Sequence, residues 1–321
     1  VVHVSTAEIG GAEASLLDAL ARLPGRPFFL VPGEGPLTRA LESRGWRWKA
    51  LPWPGGMRLL TQRNLLALPL VLPGLPAYLL RLWMELRGAP AVLSSGFKSH
   101  AACLPLSPFL GPRLRFDVRD FLKPVRARGL IARAARLFGC KVTANSAAVA
   151  VDYPGAEVIY PVVRLARPAA RRHPGERRII THLAYFAPYK GQDLFLSLAR
   201  RLLDKGLDAE FWLAGDVIYP AAAYARYRDD VYALAAKLGL ASRVRFLGRV
   251  PGAEAVQDVL EQTDLLLHCT REPEPFGRSV LEALLCGCEA VCHKGSGVCE
   301  VTAPSRTFPG WMEPFGKVLG E

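Results

Sequence analysis

The chain is 321 residues long, 50% hydrophobic and 22% charged, a balance that builds about two globular domains and excludes a disordered or fibrous chain. Its formal net charge is +12, with arginine the main cation, which suits anionic small molecules or an anionic membrane face. Zinc-finger spacing, an aromatic RNA-binding strand and long Lys/Arg runs are all missing, so nucleic acid is not expected as a partner.

Val1-Val2-His3-Val4 reads as a buried first strand and not as a signal peptide. Short apolar, β-rich runs then alternate with helical stretches, which indicates α/β units around parallel sheets. In the first half the expected strands are 1–5, 28–31, 91–94, 114–118 and 141–144, and the expected helices are 12–23, 36–44 and 126–138. A segment at 158–160 closes this half. The most apolar stretch, 65–80, lacks charge but holds Pro69, Pro73 and Pro76, and it is shorter than the ~20 residues of a bilayer span. It reads as buried or half-buried helix and loop. The alternative is contact with a membrane surface, aided by Arg58, Arg63, Arg81 and Arg87.

Residues 161–178, rich in Arg, Ala and Pro and without periodicity, read as the connection between a domain at 1–163 and one at 164–321. The second series has strands at 179–182, 210–214, 244–247, 265–269 and 290–292. Its helices are 191–203, 224–238, 253–261 and 279–285. Seven cysteines, an odd number in a chain this long, fit free thiols in a reducing cytoplasm. The spacing of Cys286, Cys288, Cys292 and Cys299 matches no common zinc pattern, so they are read as small packing residues and no metal is expected.

In doubly wound sheets ligands sit beyond the carboxyl ends of the strands, here the loops after Val4, Leu183, Leu213, Leu247 and Cys269. The first loop holds Gly10-Gly11 before a helix, where backbone approach and free N–H groups suit an anion. The loop after Cys269 holds Glu274-Pro275-Phe276-Gly277, and Glu282 follows in the next helix. The first-turn N–H groups from Gly277 to Val280 are apt for phosphate oxygens.

This segment, with its Glu-x7-Glu spacing, resembles the retaining GT-B glycosyltransferases of family four, the glycosyl transferases group 1. Ile9–Glu13, Pro188-Tyr189-Lys190-Gly191, Trp212–Asp216 and Val244–Gly248 match further motifs of that family in the right order. The resemblance implies two Rossmann-like doubly wound domains facing across a cleft, acceptor on the first and nucleotide-sugar donor on the second. It implies a metal-independent glycosyltransferase that retains anomeric configuration, with a UDP-, GDP- or ADP-linked sugar as substrate and no cofactor.

By the same resemblance Glu274 steadies charge at the anomeric carbon, Lys190 clamps the diphosphate and Glu282 accepts from the ribose. Gly10, Gly11, Gly215, Phe276, Gly277, Arg278, Ser279 and Glu300 surround the donor, and Arg249 and Val250 meet the base. Glu13 and His100 are placed toward the acceptor. Two positions depart from the family. Tyr185 stands where an arginine is usual, which leaves one cation fewer at the diphosphate. Arg119 stands where a histidine is usual and could bind an anion, and Asp120 could act as acceptor base; the bland reading is a salt-bridged loop. The expected acceptor is a glycan, a lipid-linked sugar or a metabolite, and the expected location is cytoplasmic or peripheral on the inner membrane face. The other reading is a GT-B protein that binds nucleotides or sugars without transfer. A closing helix is expected at 311–319.

Overall fold

The computed structural model describes residues 1–57, 68–122, 125–170, 177–219 and 222–302. Arg58, Arg63, part of the connecting segment and the helix expected at 311–319 lie outside them. The chain forms two compact units, Val1–Val162 and Val163–Glu321.

The first unit runs β1 (Val2–Val4), α1 (Gly11–Leu20), β2 (Phe28–Val31), α2 (Pro36–Ser43), β3 (Arg47–Ala50), α3 (Leu68–Val71), α4 (Leu75–Leu86) and β4 (Val92–Ser95). It continues through α5 (Phe97–Cys103), α6 (Ser107–Leu110), β5 (Leu114–Val118), α7 (Val125–Phe138), β6 (Lys141–Ala144), α8 (Ala147–Ala150) and β7 (Glu157–Val158). The strands form one sheet in the order β3-β2-β1-β4-β5-β6-β7. Every pairing is parallel. Central parallel strands are covered on both faces, so they need unbroken apolar runs, and Phe29, Leu30 and Val31 are fully buried. The cores gather around Leu82, Phe116 and Ile131 in one cluster and Leu16, Phe29 and Leu41 in another.

The second unit runs β8 (Arg178–Leu183), α9 (Gln192–Asp204), β9 (Ala209–Ala214), α10 (Ala222–Lys237), β10 (Val244–Gly248), α11 (Gly252–Glu261), β11 (Leu265–Leu267), α12 (Arg278–Leu285) and β12 (Glu289–Val291). Its sheet, again all parallel, has the order β10-β9-β8-β11-β12. The chain winds outward from β8 through β9 to β10, then returns to the other side of β8 with β11. The crevice between the carboxyl ends of β8 and β11 is therefore the switch point at which such sheets bind ligands. In the first sheet the equivalent point lies between β1 and β4.

Three elements differ from the sequence reading. β3 reads Arg-Trp-Lys-Ala and is an exposed edge strand, so it lacks the apolar run that marks inner strands. The last strand of the first sheet is Glu157–Val158, starting before the segment expected at 158–160. The apolar stretch near residue 70 is not buried as a whole. Tyr78, Leu82 and Leu86 turn inward, whereas Leu70, Leu72, Leu80 and Met84 are each more than half exposed.

Candidate functional site

The second unit gathers its site at the β8/β11 switch. β8 ends at Leu183, and the chain passes through Tyr185 into a single turn, Pro188–Lys190. Gly191 then opens α9 with φ at 73°. A Cβ at this position would lie 1.8 Å from the carbonyl oxygen of Cys269, just beyond β11. Only glycine permits that approach, and it carries Lys190 onto the loop that follows β11. Gly215 plays the same part after β9, at φ 138° and with Ala184 O 2.0 Å from where its Cβ would be.

Lys190 is largely buried, and its Nζ donates to Glu274 Oε1 at 2.7 Å. The ammonium also lies over two aromatic faces, 5.2 Å from the ring centre of Tyr185 and 5.3 Å from that of Tyr189. The two tyrosine hydroxyls meet each other, and Tyr219 stands edge-on to Tyr185. Tyr185, in place of the expected arginine, thus becomes one wall of a cage around Lys190.

Glu274 is fixed through its backbone. Its N–H donates to Ser296 Oγ at 3.0 Å and its carbonyl accepts from Gly297 N at 3.1 Å. Val298 N donates to Phe276 O at 2.7 Å, and Phe276 is buried against Val298. The Gly-rich segment 293–300 is thereby a brace under the Glu274 loop, and Glu300 lies exposed at its far end. Gly277, at φ 100°, turns the chain into α12. The first-turn N–H groups of Arg278 and Ser279 open beside Glu274 with the positive end of the helix dipole. Arg278 Nε donates to Glu282 Oε1 at 2.6 Å across one helical turn.

Below the Lys190–Glu274 pair lie two histidines that the sequence reading did not single out. His182 and His268 are buried, and burial with the nearby Lys190 charge lowers both to about 3, so both rings are neutral. His182 Nδ1 bonds Leu267 O at 2.7 Å, which leaves its Nε2 without a partner. His268 Nδ1, Thr270 Oγ1 and Gln192 Oε1 are likewise without partners, a polar floor suited to ordered water. A histidine inside an otherwise apolar strand run was the available signal.

Farther along the sheet edge a cavity of about 310 Å³ is lined by Trp212, Arg245, Arg249, Val250, Gln262 and their neighbours. Arg245 stacks over the Trp212 ring at 5.0 Å. The second unit thus places Arg249 and Val250 in one hollow and Lys190, Glu274, Gly277, Arg278 and Ser279 at the switch point.

In the first unit Gly10 caps α1, and Glu13 Oε2 accepts from Gly10 N at 3.0 Å. Glu13 is therefore a helix-capping carboxylate. Burial raises its pKa, against the backbone bonds it accepts and the charge of Arg119 nearby. Arg119 pairs with Asp117 at 2.5 Å, both nearly buried, while Thr143 donates to the same carboxylate and Asn145 to the Arg119 carbonyl. Asp120 is exposed next to it. His100 does not reach a loop surface. It is buried, accepts or donates to Ser94 Oγ at 2.7 Å, and is lowered to about 4 by burial. With Ser99, His3 and Tyr78 it forms an internal polar chain. Cys292 and Cys299 lie 3.6 Å apart, and among the described residues no cluster suited to a metal ion occurs.

The model of one family, described as glycosyl transferases group 1, matches residues 164–316. A curated relative, the phosphatidylinositol N-acetylglucosaminyltransferase GPI3 subunit of Saccharomyces cerevisiae, is 30% identical over 137 residues, 43% of this chain. That match spans 28% of the relative, little more than a quarter of its length. Among solved structures, Anabaena Alr3699/HepE in complex with UDP superposes with a TM-score of 0.76 at 20% identity, covering 99% of this chain and 88% of that one. Sucrose-phosphate synthase from Thermosynechococcus elongatus gives 0.72 at 13% identity, over 100% and 89%. WaaG, a glycosyltransferase involved in lipopolysaccharide biosynthesis, gives 0.64 at 15% identity, over 100% and 90%. At these identities the likeness establishes the fold, which is the GT-B type.

Proposed function

We propose, from the match of residues 164–316 to the glycosyl transferases group 1 family model, that the chain moves a sugar from a nucleotide-sugar donor to a hydroxyl acceptor with retention of configuration. The observation that carries this reading is the Lys190–Glu274 pair at the β8/β11 switch, beside the N-terminus of α12. The pair is an exchangeable one. A diphosphate offers Lys190 a doubly anionic partner, and the backbone N–H groups of α12 complete its cradle. Glu274 is then freed toward the sugar, where its charge opposes the positive charge that grows at the anomeric carbon.

In this mechanism the bond from the anomeric carbon to the diphosphate oxygen breaks and one to the acceptor oxygen forms on the same face. The acceptor proton passes to the leaving diphosphate. Lys190 balances the leaving charge, so the reaction proceeds without a metal. Glu282 accepts from the ribose, and the base occupies the hollow at Arg249 and Val250. The complex of Alr3699/HepE with UDP supports a uridine nucleotide in the donor. The acceptor, on the side of the first unit, is a glycan, a lipid-linked sugar or a metabolite.

A second reading is a nucleotide- or sugar-binding protein without transfer, favoured by Tyr185 in place of a cation. Thermal unfolding with UDP, GDP, ADP and their sugars tests the shared part. A nucleotide at one hundred times its dissociation constant adds about 2.7 kcal/mol. A stabilisation by one nucleotide that vanishes in Lys190→Ala supports the site, and no stabilisation by any of them removes it. Release of nucleoside diphosphate that depends on Glu274 then separates the transferase from the binding protein.

A further inference from the structure

The positive charge of the chain is not evenly spread. Residues 1–162 hold twenty lysines and arginines against ten acidic residues, so they carry most of the net charge of +12. Within that unit one helical flank holds a single acidic group. Between residues 68 and 116 the sole acidic residue is Glu85, which pairs with Lys49 at 2.6 Å, and between 121 and 151 there is none.

The same flank leaves large apolar side chains in solvent. Along α4 the outward positions are Leu80, Arg81, Met84 and Arg87, with Leu80 and Met84 each 60% exposed. Phe109 on α6 is 66% exposed and rests against Trp83 of α4, ring centres 5.5 Å apart. Arg113 ties the pieces together by donating to the carbonyls of Arg87, Ala89 and Phe109. Gly111 brings this turn against the carbonyl of Phe138, the last residue of α7. On α7 the exposed side chains are again apolar and basic: Leu130, Arg133, Arg136, Leu137 and Phe138.

A solvated helix face is normally dense in charges of both signs, and scattered single apolar residues need no explanation. Here apolar tips and arginines alternate over three neighbouring helices, whose one carboxylate, Glu85, is paired with Lys49. That pattern suits an interface where apolar groups enter the acyl boundary and guanidiniums meet phosphate headgroups. Among the described residues no helix is long and apolar enough to cross a membrane, so the contact is with a surface.

We propose that the flank formed by α4, Phe109 and α7 is a docking surface for an anionic phospholipid bilayer. It needs no nucleotide, and its residues belong to the first unit, whereas Lys190 and Glu274 belong to the second.

The test is co-sedimentation of the full chain with vesicles of phosphatidylcholine alone and of equal parts phosphatidylcholine and phosphatidylglycerol, at low and high salt. Binding is expected for the anionic vesicles at low salt and is expected to fall steeply with salt. Leu80→Ser with Met84→Ser, and separately Arg87→Glu with Arg133→Glu, are each expected to weaken it by about tenfold or more. All four side chains are exposed, so melting temperatures and nucleotide-induced stabilisation are expected to stay at wild-type values. Failure to bind anionic vesicles at low salt overturns the proposal. So does equal binding by the variants. A concentration-dependent dimer that the Leu80→Ser, Met84→Ser variant breaks would assign the face to a second copy of the chain instead, and also overturns it.

Discussion

Lys190 donates to Glu274 at 2.7 Å while Tyr185 and Tyr189 face its ammonium, so one cation is shared by a carboxylate and two rings. Both charged side chains are nearly buried, at 11% and 13% exposure. Removing one partner strands the other, which costs about 3 kcal/mol. Lys190→Met is expected to lose that much in urea unfolding, and Lys190→Met with Glu274→Gln to recover most of it. A double variant no more stable than the single one would show that the two residues are not coupled.

Tyr185→Arg restores a second cation beside Lys190. Without ligand, two like charges at a buried site repel, so the melting temperature is expected to fall. With a nucleoside diphosphate the same pair is neutralised, and the ligand-induced rise is expected to exceed that of the wild type. An equal rise in both proteins would mean that position 185 does not reach the diphosphate.

Gly191→Ala and Gly215→Ala each drive a methyl group into a carbonyl oxygen, at 1.8 Å and 2.0 Å, on a backbone with positive φ. Each is expected to destabilise by about 4 kcal/mol or more, at the diagnostic end for single substitutions. Gly206→Ala shares the positive φ of 88° but meets no atom within 4 Å, and it is expected to cost about 1–2 kcal/mol. Equal losses at all three positions would refute the close approach as the cause.

Four buried histidines make stability depend on pH. His3, His182 and His268 are lowered to about 3 and His100 to about 4, mainly by burial. A histidine with a depressed folded pKa binds fewer protons folded than unfolded. Its contribution is complete above the unfolded value of about 6.5 and is lost as pH falls toward the folded value. Glu13 acts in the opposite direction, since a raised carboxyl favours the folded state at lower pH. The melting temperature is therefore expected to fall from pH 6.5 downward, before the carboxylates titrate. A flat profile down to about pH 5 would contradict the neutral, buried state of these rings.

The inner strands of both sheets were legible because inner parallel strands must be apolar on both faces, as 28–31 and 265–267 are. The Glu274–Glu282 spacing and Lys190-Gly191 stood out through the family resemblance, whose motifs are short local runs. What was hidden depended on strand pairing and on which side chains turn inward. The polar edge strand at Arg47–Ala50 exists through pairing with β2. The partner of Arg119 is Asp117, two residues back on β5, where strand alternation sets both on one side. His100 looked accessible in a polar pentapeptide, yet Ser94 draws it into the core. The stretch 65–80 read as helix and loop, but its apolar composition did not tell which side chains of α4 turn inward and which stay exposed.

Trp212 forms a wall of the hollow at the end of the second sheet, with the Arg245 guanidinium over its ring. The other tryptophans of the described residues, Trp46, Trp48, Trp53 and Trp83, all belong to the first unit. An indole flanked by a cation is an environment-sensitive fluorophore, and its emission shifts when a purine or pyrimidine displaces water or the guanidinium beside it. Occupancy of this hollow is thus open to optical titration as the difference between the wild type and Trp212→Phe, which subtracts the emission of the other five tryptophans.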